Sequence, residues 1–200
     1  CAIQNGAAKC WGYNGSGELG NGNKTSQNTP VAVLDGAMPA GAVKSIILSA
    51  DNHTCAIASD DKVYCWGRND FGQLGTGATG VPQNVPVAVS AGAMPAGAVK
   101  AISAGTNYTC AIASDNNVYC WGYNNHGQLG DGTQEDKNAP VKIGDDEWIS
   151  VKTSESHTCG IKSDNKLYCW GENWYGQLGN GIGDGRNGKI DTFEVTKTSD

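Results

Sequence analysis

Short runs in which apolar positions recur with a period of two are found along the chain and predict β-strands. In HTCAIASDDKVYCWG (residues 53–67), two such runs, rich in β-branched and aromatic residues, flank a polar turn at residues 59–61. This arrangement is typical of a β-hairpin. Further short strands are predicted at PVAV (86–89) and VKAISAG (99–105), and an outer strand is expected at residues 192–195.

The hairpin belongs to a unit that the chain repeats four times. The text around the second cysteine of each unit reads KCWGYNGSGELGNG, YCWGRNDFGQLGTG, YCWGYNNHGQLGDG and YCWGENWYGQLGNG. These cysteines, at positions 10, 65, 120 and 169, are separated by 55, 55 and 49 residues. Because four units account for almost every residue, we expect one repeat array and a single domain spanning residues 1–200.

About four strands in a unit of roughly 50 residues is typical of a blade of a β-propeller, in which small sheets pack face to face around an axis. The elements H-T-x-A-I, the acidic turn, V-Y-x-W-G, G-Q-L-G and the trailing P-V resemble the repeat of the RCC1 (regulator of chromosome condensation) superfamily. The resemblance covers nearly the whole chain and implies an all-β, seven-bladed propeller. Two cysteines in each unit are more similar to the bacterial, exported branch of the family than to its eukaryotic nuclear branch.

The chain departs from the family pattern in two respects. It contains four units where the resemblance implies about seven blades, and the first unit begins at Cys1 without the strand expected before it. We therefore expect an all-β, RCC1-like β-propeller with about four blades of seven, either a fragment of a longer ring or an open or partial propeller. The fragment is the favoured interpretation.

The register of the hairpins predicts how the eight cysteines pair. Opposed residues in a hairpin have a constant index sum, so a three-residue loop at 59–61 places Cys55 opposite Cys65. The first pair is one residue closer in sequence, but its two-residue Asn5-Gly6 turn keeps the cysteines opposed. Opposed residues on neighbouring strands lie at a separation that a disulfide accepts. The predicted disulfides are Cys1–Cys10, Cys55–Cys65, Cys110–Cys120 and Cys159–Cys169.

Four disulfides imply an oxidising compartment, so we expect a secreted, periplasmic or cell-surface location. Reduced buried thiols and metal or redox chemistry are the alternatives. They are disfavoured because the chain has neither the short Cys-x2-4-Cys spacing of zinc sites nor a Cys-x-x-Cys redox motif. Cys1 has a further alternative as a lipid-anchored residue, although its alignment with Cys55 favours a simple truncation point.

Composition and charge exclude several classes of partner. The formal net charge is −6 and no cluster of Lys and Arg occurs, which argues against nucleic acid. No apolar run is long enough for a membrane span. We expect no metal and no cofactor: the G-x-G-x-x-G run at 15–20 is one copy of a turn that recurs in every unit, not a dinucleotide motif. His53 and His157 share a repeat position with Tyr108, which indicates packing and hydrogen bonding.

The differences between the units point to a binding face. Repeat proteins keep the core constant and vary the loops on one face, which is often the face that binds. The variable tip loops, residues 13–16, 68–71, 123–126 and 172–175, read YNGS, RNDF, YNNH and ENWY. Aromatic and amide side chains of this kind are typical of contact surfaces. The candidate binding residues are Tyr13, Asn14, Arg68, Asp70, Phe71, Tyr123, Asn125, His126, Trp174 and Tyr175.

The sequence therefore predicts a non-catalytic, exported binding or scaffold module that presents these loops to a protein or a cell-surface glycan. No catalytic residues are assigned, because no set of nucleophile, base and acid stands out against the repeat. An enzyme inhibitor similar to the bacterial family member that binds β-lactamases is one alternative. Guanine-nucleotide exchange, implied by the resemblance to the eponymous family member, is disfavoured because it requires an intracellular GTPase.

Overall fold

The computed structural model describes residues 1–40, 43–49, 51–95, 97–181 and 193–194. Within these residues the chain forms fifteen β-strands arranged in four antiparallel sheets, and within each sheet the strands lie side by side in the order of the sequence. One sheet corresponds to each repeat unit. We number the units first to fourth in chain order.

The first sheet consists of β1 (Ala2–Gln4), β2 (Ala7–Gly12) and β3 (Gln27–Ala32). The second consists of β4 (Val43–Leu48), β5 (His53–Ala58), β6 (Val63–Gly67) and β7 (Gln83–Ala88). The third consists of β8 (Val99–Ala104), β9 (Tyr108–Ala113), β10 (Val118–Gly122) and β11 (Lys137–Ile143). The fourth consists of β12 (Trp148–Thr153), β13 (His157–Lys162), β14 (Leu167–Gly171) and β15 (Phe193–Glu194).

The predicted hairpin forms the central pair of each four-stranded sheet. In the second sheet Cys55 lies opposite Cys65. The loop before β6 closes through Asp61, whose φ of 62° is left-handed, and Asn116 and Asn165 adopt the same conformation in the next two units. In the first unit Asn5 and the glycine after it both have positive φ, as a two-residue turn of type I′ requires. The predicted relation between loop length and cysteine spacing is confirmed.

The outer strands differ slightly from the sequence prediction. Residues 86–88 of the PVAV segment form the end of a longer strand, β7, which begins at Gln83 opposite Gly67, and Val89 follows the strand. The register of β7 against β6 is irregular between Cys65 and Gly67. The strand predicted at 99–105 is β8, Val99–Ala104. Of the strand expected at 192–195, Phe193–Glu194 is described and pairs with β14; the other two residues lie outside the described part of the chain.

All four predicted disulfides are present. The Cα atoms of Cys1 and Cys10 are 4.0 Å apart, and those of each of the other three pairs are 4.1 Å apart. Each bond joins the two central strands of one sheet, or β2 and the residue preceding β1 in the first sheet. In the second and third sheets the paired cysteines are fully buried. The disulfides therefore cross-link each unit internally and do not join one unit to another.

The hydrophobic core is divided into three clusters, each of which lies between two neighbouring sheets. Trp66 belongs to the cluster between the first and second sheets, Trp121 to the next, and Trp170 to the last. All three indole side chains are fully buried. Because every unit shares its core with the next, a unit depends on its neighbours for burial of its largest side chain.

A hydrogen-bonded junction repeats between successive sheets. The carbonyl oxygen of Glu18 accepts one bond from Nε1 of Trp66 and one from Oγ1 of Thr54, both at 2.9 Å. The main-chain carbonyl at the equivalent position of the second and third units accepts the same two bonds from the next unit. The residues involved are Gln73 with Trp121 and Thr109, and Gln128 with Trp170 and Thr158.

The last glycine of the G-Q-L-G motif is required by this junction. A Cβ atom at Gly75 would lie 2.7 Å from Nε1 of Trp121, and the φ of this glycine is +67°. Gly20 and Gly130 have the same conformation and the same close approach to the tryptophan of the following unit. A side chain at this position would therefore force the loop away from the tryptophan that it covers.

Candidate binding face at the tip loops

The tip loops leave the sheets at the same point and with the same geometry in each unit. A glycine with positive φ follows the tryptophan and turns the chain out of the sheet: Gly67, for example, has a φ of 98°. In the second to fourth units, the residue after this glycine donates its backbone N–H to the carbonyl of the residue immediately before the first central strand of the same sheet. This bond runs from Arg68 to Asn52 (2.8 Å), from Tyr123 to Asn107 (2.9 Å) and from Glu172 to Ser156 (2.9 Å).

The second residue of each tip loop is an asparagine that holds the loop together. Oδ1 of Asn14 accepts the N–H of Leu19 at 2.9 Å, and its Nδ2 donates to the carbonyls of Asn23 (3.0 Å) and Thr25 (3.1 Å). Asn14 is fully buried. Its prediction as a contact residue is therefore wrong, because its polar atoms are occupied inside the protein. The equivalent residues Asn69, Asn124 and Asn173 are buried as well.

A second side chain fixes the outermost tip residue. Oε1 of Gln73 accepts the backbone N–H of Phe71 at 2.9 Å, and Gln128 and Gln177 do the same for His126 and Tyr175. In the first unit a carboxylate oxygen of Glu18 accepts the N–H of Ser16. The bracing side chain is buried in the first three units and partly buried in the fourth, so the tip side chains are presented on a fixed support.

The remaining predicted tip residues reach the surface to different extents. Tyr13 is 64% exposed, Trp174 48% and Tyr175 91%. Asp70 and Asn125 are also exposed. The other four, Arg68, Phe71, Tyr123 and His126, are partly exposed.

Four tip residues from two units form one cluster, which we call the tip cluster: Arg68, Phe71, Tyr123 and His126. The ring centroids of Phe71 and Tyr123 are 4.7 Å apart across the boundary between the second and third units. The ring of His126 lies 6.3 Å from that of Tyr123, and the guanidinium of Arg68 lies 5.8 Å from the centroid of Phe71. Sequence comparison identified these residues singly but did not show that they meet.

Arg68 is held by two carboxylates. Its Nη1 lies 2.7 Å from Asp51 and its Nε 2.7 Å from Asp70. The hydrogen bond to Asp70 and the charge of both carboxylates raise the pKa of Arg68. Asp51 was not among the predicted residues. The signal that identifies it in retrospect is the acidic residue Glu155 at the same repeat position of the fourth unit.

The histidine position that precedes the first cysteine connects neighbouring units. His53 is buried, and its Nε2 lies 3.0 Å from Oγ1 of Thr109 in the third unit, within hydrogen-bond distance. Burial lowers the pKa of His53 to about 3, so the imidazole is neutral at neutral pH. Tyr108 replaces it in the third unit, and its hydroxyl lies 3.0 Å from Oγ1 of Thr158 in the fourth. Packing and hydrogen bonding account for both residues.

Within the described ranges, no group of three or more His, Cys, Asp or Glu side chains is arranged to hold a metal ion. Over the same residues, no helix of the length and apolarity needed to cross a bilayer is found.

Two profiles of the Regulator of chromosome condensation (RCC1) repeat match the chain, one over residues 60–112 and 115–161 and the other over residues 99–128 and 148–177. The chain belongs to the RCC1 repeat family. The ultraviolet-B receptor UVR8 of Arabidopsis thaliana is 33% identical over 136 residues, which are 66% of this chain and 29% of the receptor. The human regulator of chromosome condensation is 33% identical over 92 residues, 46% of this chain and 21% of that protein.

Solved structures show the same fold. Human WBSCR16 matches 98% of this chain with a TM-score of 0.81 at 22% identity, and Prp20p of Saccharomyces cerevisiae matches 94% with a TM-score of 0.77 at 22% identity. At these identities the likeness concerns the fold alone, and it confirms an RCC1-like propeller with about four blades. The RCC1-repeat chain spans 50% and 46% of the two solved chains, and less than a third of the two sequence relatives.

Proposed function

We propose that this RCC1-repeat chain is a non-catalytic module that binds a partner protein through its tip loops. The observation that carries the proposal is the tip cluster, in which aromatic, guanidinium and imidazole groups from two units form one continuous surface. Aromatic residues and arginine are enriched among the side chains that dominate binding energy at protein interfaces. The side chains beneath the tips hydrogen-bond to the tip backbone, so little backbone conformational entropy is lost when a partner binds.

The proposed location is extracytoplasmic: secreted, periplasmic or at the cell surface. The support is the set of four disulfides, because bonds of this kind persist in oxidising compartments and are rare in the cytosol. This location favours an extracellular partner protein over a small GTPase. It also makes a cell-surface glycan the competing ligand class, which the experiment below distinguishes.

The test is cross-linking of the chain to extracellular proteins, followed by mass spectrometry. The double variant Phe71→Ser/Tyr123→Ser removes the centre of the tip cluster. Ile149→Ala serves as the control, because Ile149 is also apolar and exposed (57%) but lies at the opposite edge of the sheets, next to the hairpin turn of the third unit. We expect a protein that is captured by the wild type and by Ile149→Ala to be lost with the double variant.

The proposal fails if the same proteins are captured by the wild type and the double variant. It also fails if enzymatic removal of glycans from the cell surface abolishes capture and the released glycans, without any protein, still bind the chain. In that second case the tip loops recognise a glycan.

A further inference from the structure

The second unit contains a complete binding arrangement for a guanidinium group, and its ligand is a residue of the chain itself. Arg68 lies between the carboxylates of Asp51 and Asp70, at 2.7 Å from each, and against the ring of Phe71. Two charge-assisted contacts combined with an aromatic face are what a planar guanidinium requires. The backbone of a tip loop can therefore position carboxylates and an aromatic ring around a guanidinium group.

The fourth unit presents the same positions with different side chains. Glu155 replaces Asp51, Glu172 replaces Arg68, and Tyr175 replaces Phe71. The positions are equivalent in structure as well as in sequence. The N–H groups of residues 68 and 172 donate to the same carbonyl position, and those of residues 71 and 175 are both held by a glutamine Oε1.

The fourth unit therefore keeps an acidic group and an aromatic ring but has a second carboxylate where the second unit has its cation. We define the fourth-unit patch as Glu155, Glu172, Trp174 and Tyr175. Over the described residues, neither carboxylate of this patch forms an ion pair with Lys or Arg. Glu172 accepts one weak bond, at 3.5 Å, from the amide of Gln177.

The histidine beside the patch does not neutralise it at neutral pH. Both carboxylates lie close enough to His157 to raise its pKa by their charge. Burial outweighs them and lowers the pKa of His157 below its ordinary value. The imidazole is therefore uncharged at neutral pH, and among the described residues no cation is paired with the carboxylates of Glu155 and Glu172.

We propose that the fourth-unit patch binds an arginine side chain of a partner protein. The partner's guanidinium pairs with Glu155, as Arg68 pairs with Asp51, and with Glu172, and it stacks on Tyr175. The second carboxylate of the second unit, Asp70, has no counterpart here, because Trp174 stands at its position. Arginine is favoured over lysine because its planar fork pairs with carboxylates and stacks on an aromatic face at the same time. The proposal rests on the proposed function and specifies the chemistry of the partner at one point of the tip loops.

The test uses the full 200-residue chain labelled with ¹⁵N and the peptide acetyl-Gly-Arg-Gly-amide. We expect shifts of the amide signals of Glu172 and Tyr175 and of the indole signal of Trp174. The lysine analogue should bind at least about threefold more weakly, and the uncharged citrulline analogue should cause no saturable shift. Equal shifts with arginine and citrulline, or equal affinity for arginine and lysine, would overturn the proposal.

Two reciprocal variants make the test specific. Glu172→Arg supplies the fourth unit with its own guanidinium, and we expect the affinity for the arginine peptide at the patch to fall at least about tenfold. Asp145→Arg is the matched control: it makes the same change in charge at a side chain that is 97% exposed near the hairpin-turn edge, and it should leave binding unchanged. Arg68→Glu removes the internal cation of the second unit and should create new arginine-dependent shifts at residues 68–71.

The spectrum of each variant shows directly whether it is folded. The proposal is contradicted if folded Glu172→Arg binds the peptide as well as the wild type does. If the peptide does not bind but Phe71→Ser/Tyr123→Ser still loses its captured protein, the arginine site is wrong and the protein-binding function stands. If the peptide binds as expected but Phe71→Ser/Tyr123→Ser captures the same proteins as the wild type, the arginine site stands and the proposed function of the tip cluster is wrong.

Discussion

At the scale of single residues, comparison of the four units distinguishes the tip-loop residues that hold the loop in place from those that are exposed to solvent. Asn14, Asn69, Asn124 and Asn173 are unchanged and buried, whereas the residues beside them vary and face outward. The sequence contained this information, because an asparagine that never varies within variable loops indicates a structural role. The composition of the loops alone concealed it, since amides are equally common at contact surfaces.

Asn124 and Asn125 provide a matched test of this distinction. Asn124→Ala removes the acceptor for the N–H of Leu129 (2.9 Å) and the donor for the carbonyl of Thr133 (3.0 Å), which leaves buried groups without partners. We expect the free energy of unfolding to fall by about 3 kcal/mol. Asn125→Ala, at the exposed neighbour, should change it by less than about 0.5 kcal/mol. Denaturant unfolding measures both, and equal losses would contradict the assignment.

In each unit one side chain accepts a backbone N–H of the tip loop. This residue is Glu18 in the first unit and Gln in the other three. One of the carboxylate oxygens of Glu18 is buried without a hydrogen-bond partner. Burial raises the pKa of Glu18, with a smaller contribution from the charge of Asp51. The neutral imidazole of His53 lies near the same cleft and supplies no compensating charge.

This arrangement predicts a pH dependence of stability. A carboxyl whose pKa is higher in the folded state favours folding when protonated, so its contribution is lost as the pH rises through the folded-state value. We expect Glu18→Gln to raise the free energy of unfolding at pH 7 by about 1 kcal/mol and to have little effect at pH 4. Gln73→Glu, the reverse change in the second unit, should destabilise at pH 7. Melting temperatures of the wild type and both variants, measured between pH 4 and 8, test this prediction. An effect of Glu18→Gln that does not vary with pH would contradict the explanation.

At the scale of elements, the hairpin and its disulfide were predictable because both depend on local register. The turn residues determine the loop length, and the loop length determines which residues lie opposite each other. The pairing of the cysteines follows from that register. The junctions between sheets were not predictable. The carbonyl of Glu18 meets Trp66 across 48 residues of sequence, and periodicity within a strand carries no information about such a contact. The tip cluster escaped prediction for the same reason.

Removal of one disulfide tests how much the cross-link within a sheet contributes to the free energy of unfolding. In Cys110→Ala/Cys120→Ala a loop of about ten residues is no longer closed, and the chain-entropy relation gives a loss of about 2.7 kcal/mol. We expect the denaturant midpoint to shift accordingly while the spectrum of the other sheets is preserved. A companion measurement is thiol titration of the unreduced, denatured wild type, in which eight reactive thiols would contradict the disulfides and the proposed compartment.

At the scale of the whole molecule, the repeat explains both the rigidity and the variability of the chain. Each sheet packs on the next through a shared tryptophan cluster and through the same main-chain carbonyl, so the frame is the same at every junction. The tip loops take no part in these junctions through their outermost side chains. They are therefore free to differ between units, and under the proposed function it is these side chains, not the fold, that select the partner.

The central claim is that the tips bind and the frame supports them. The most direct measurement compares affinity and melting temperature for Trp174→Ala/Tyr175→Ala, with the protein captured by the cross-linking experiment as the ligand. We predict a loss of affinity of at least about tenfold with a melting temperature within about 2 °C of the wild type. Unchanged affinity, or a loss of binding accompanied by a large fall in melting temperature, would contradict the claim.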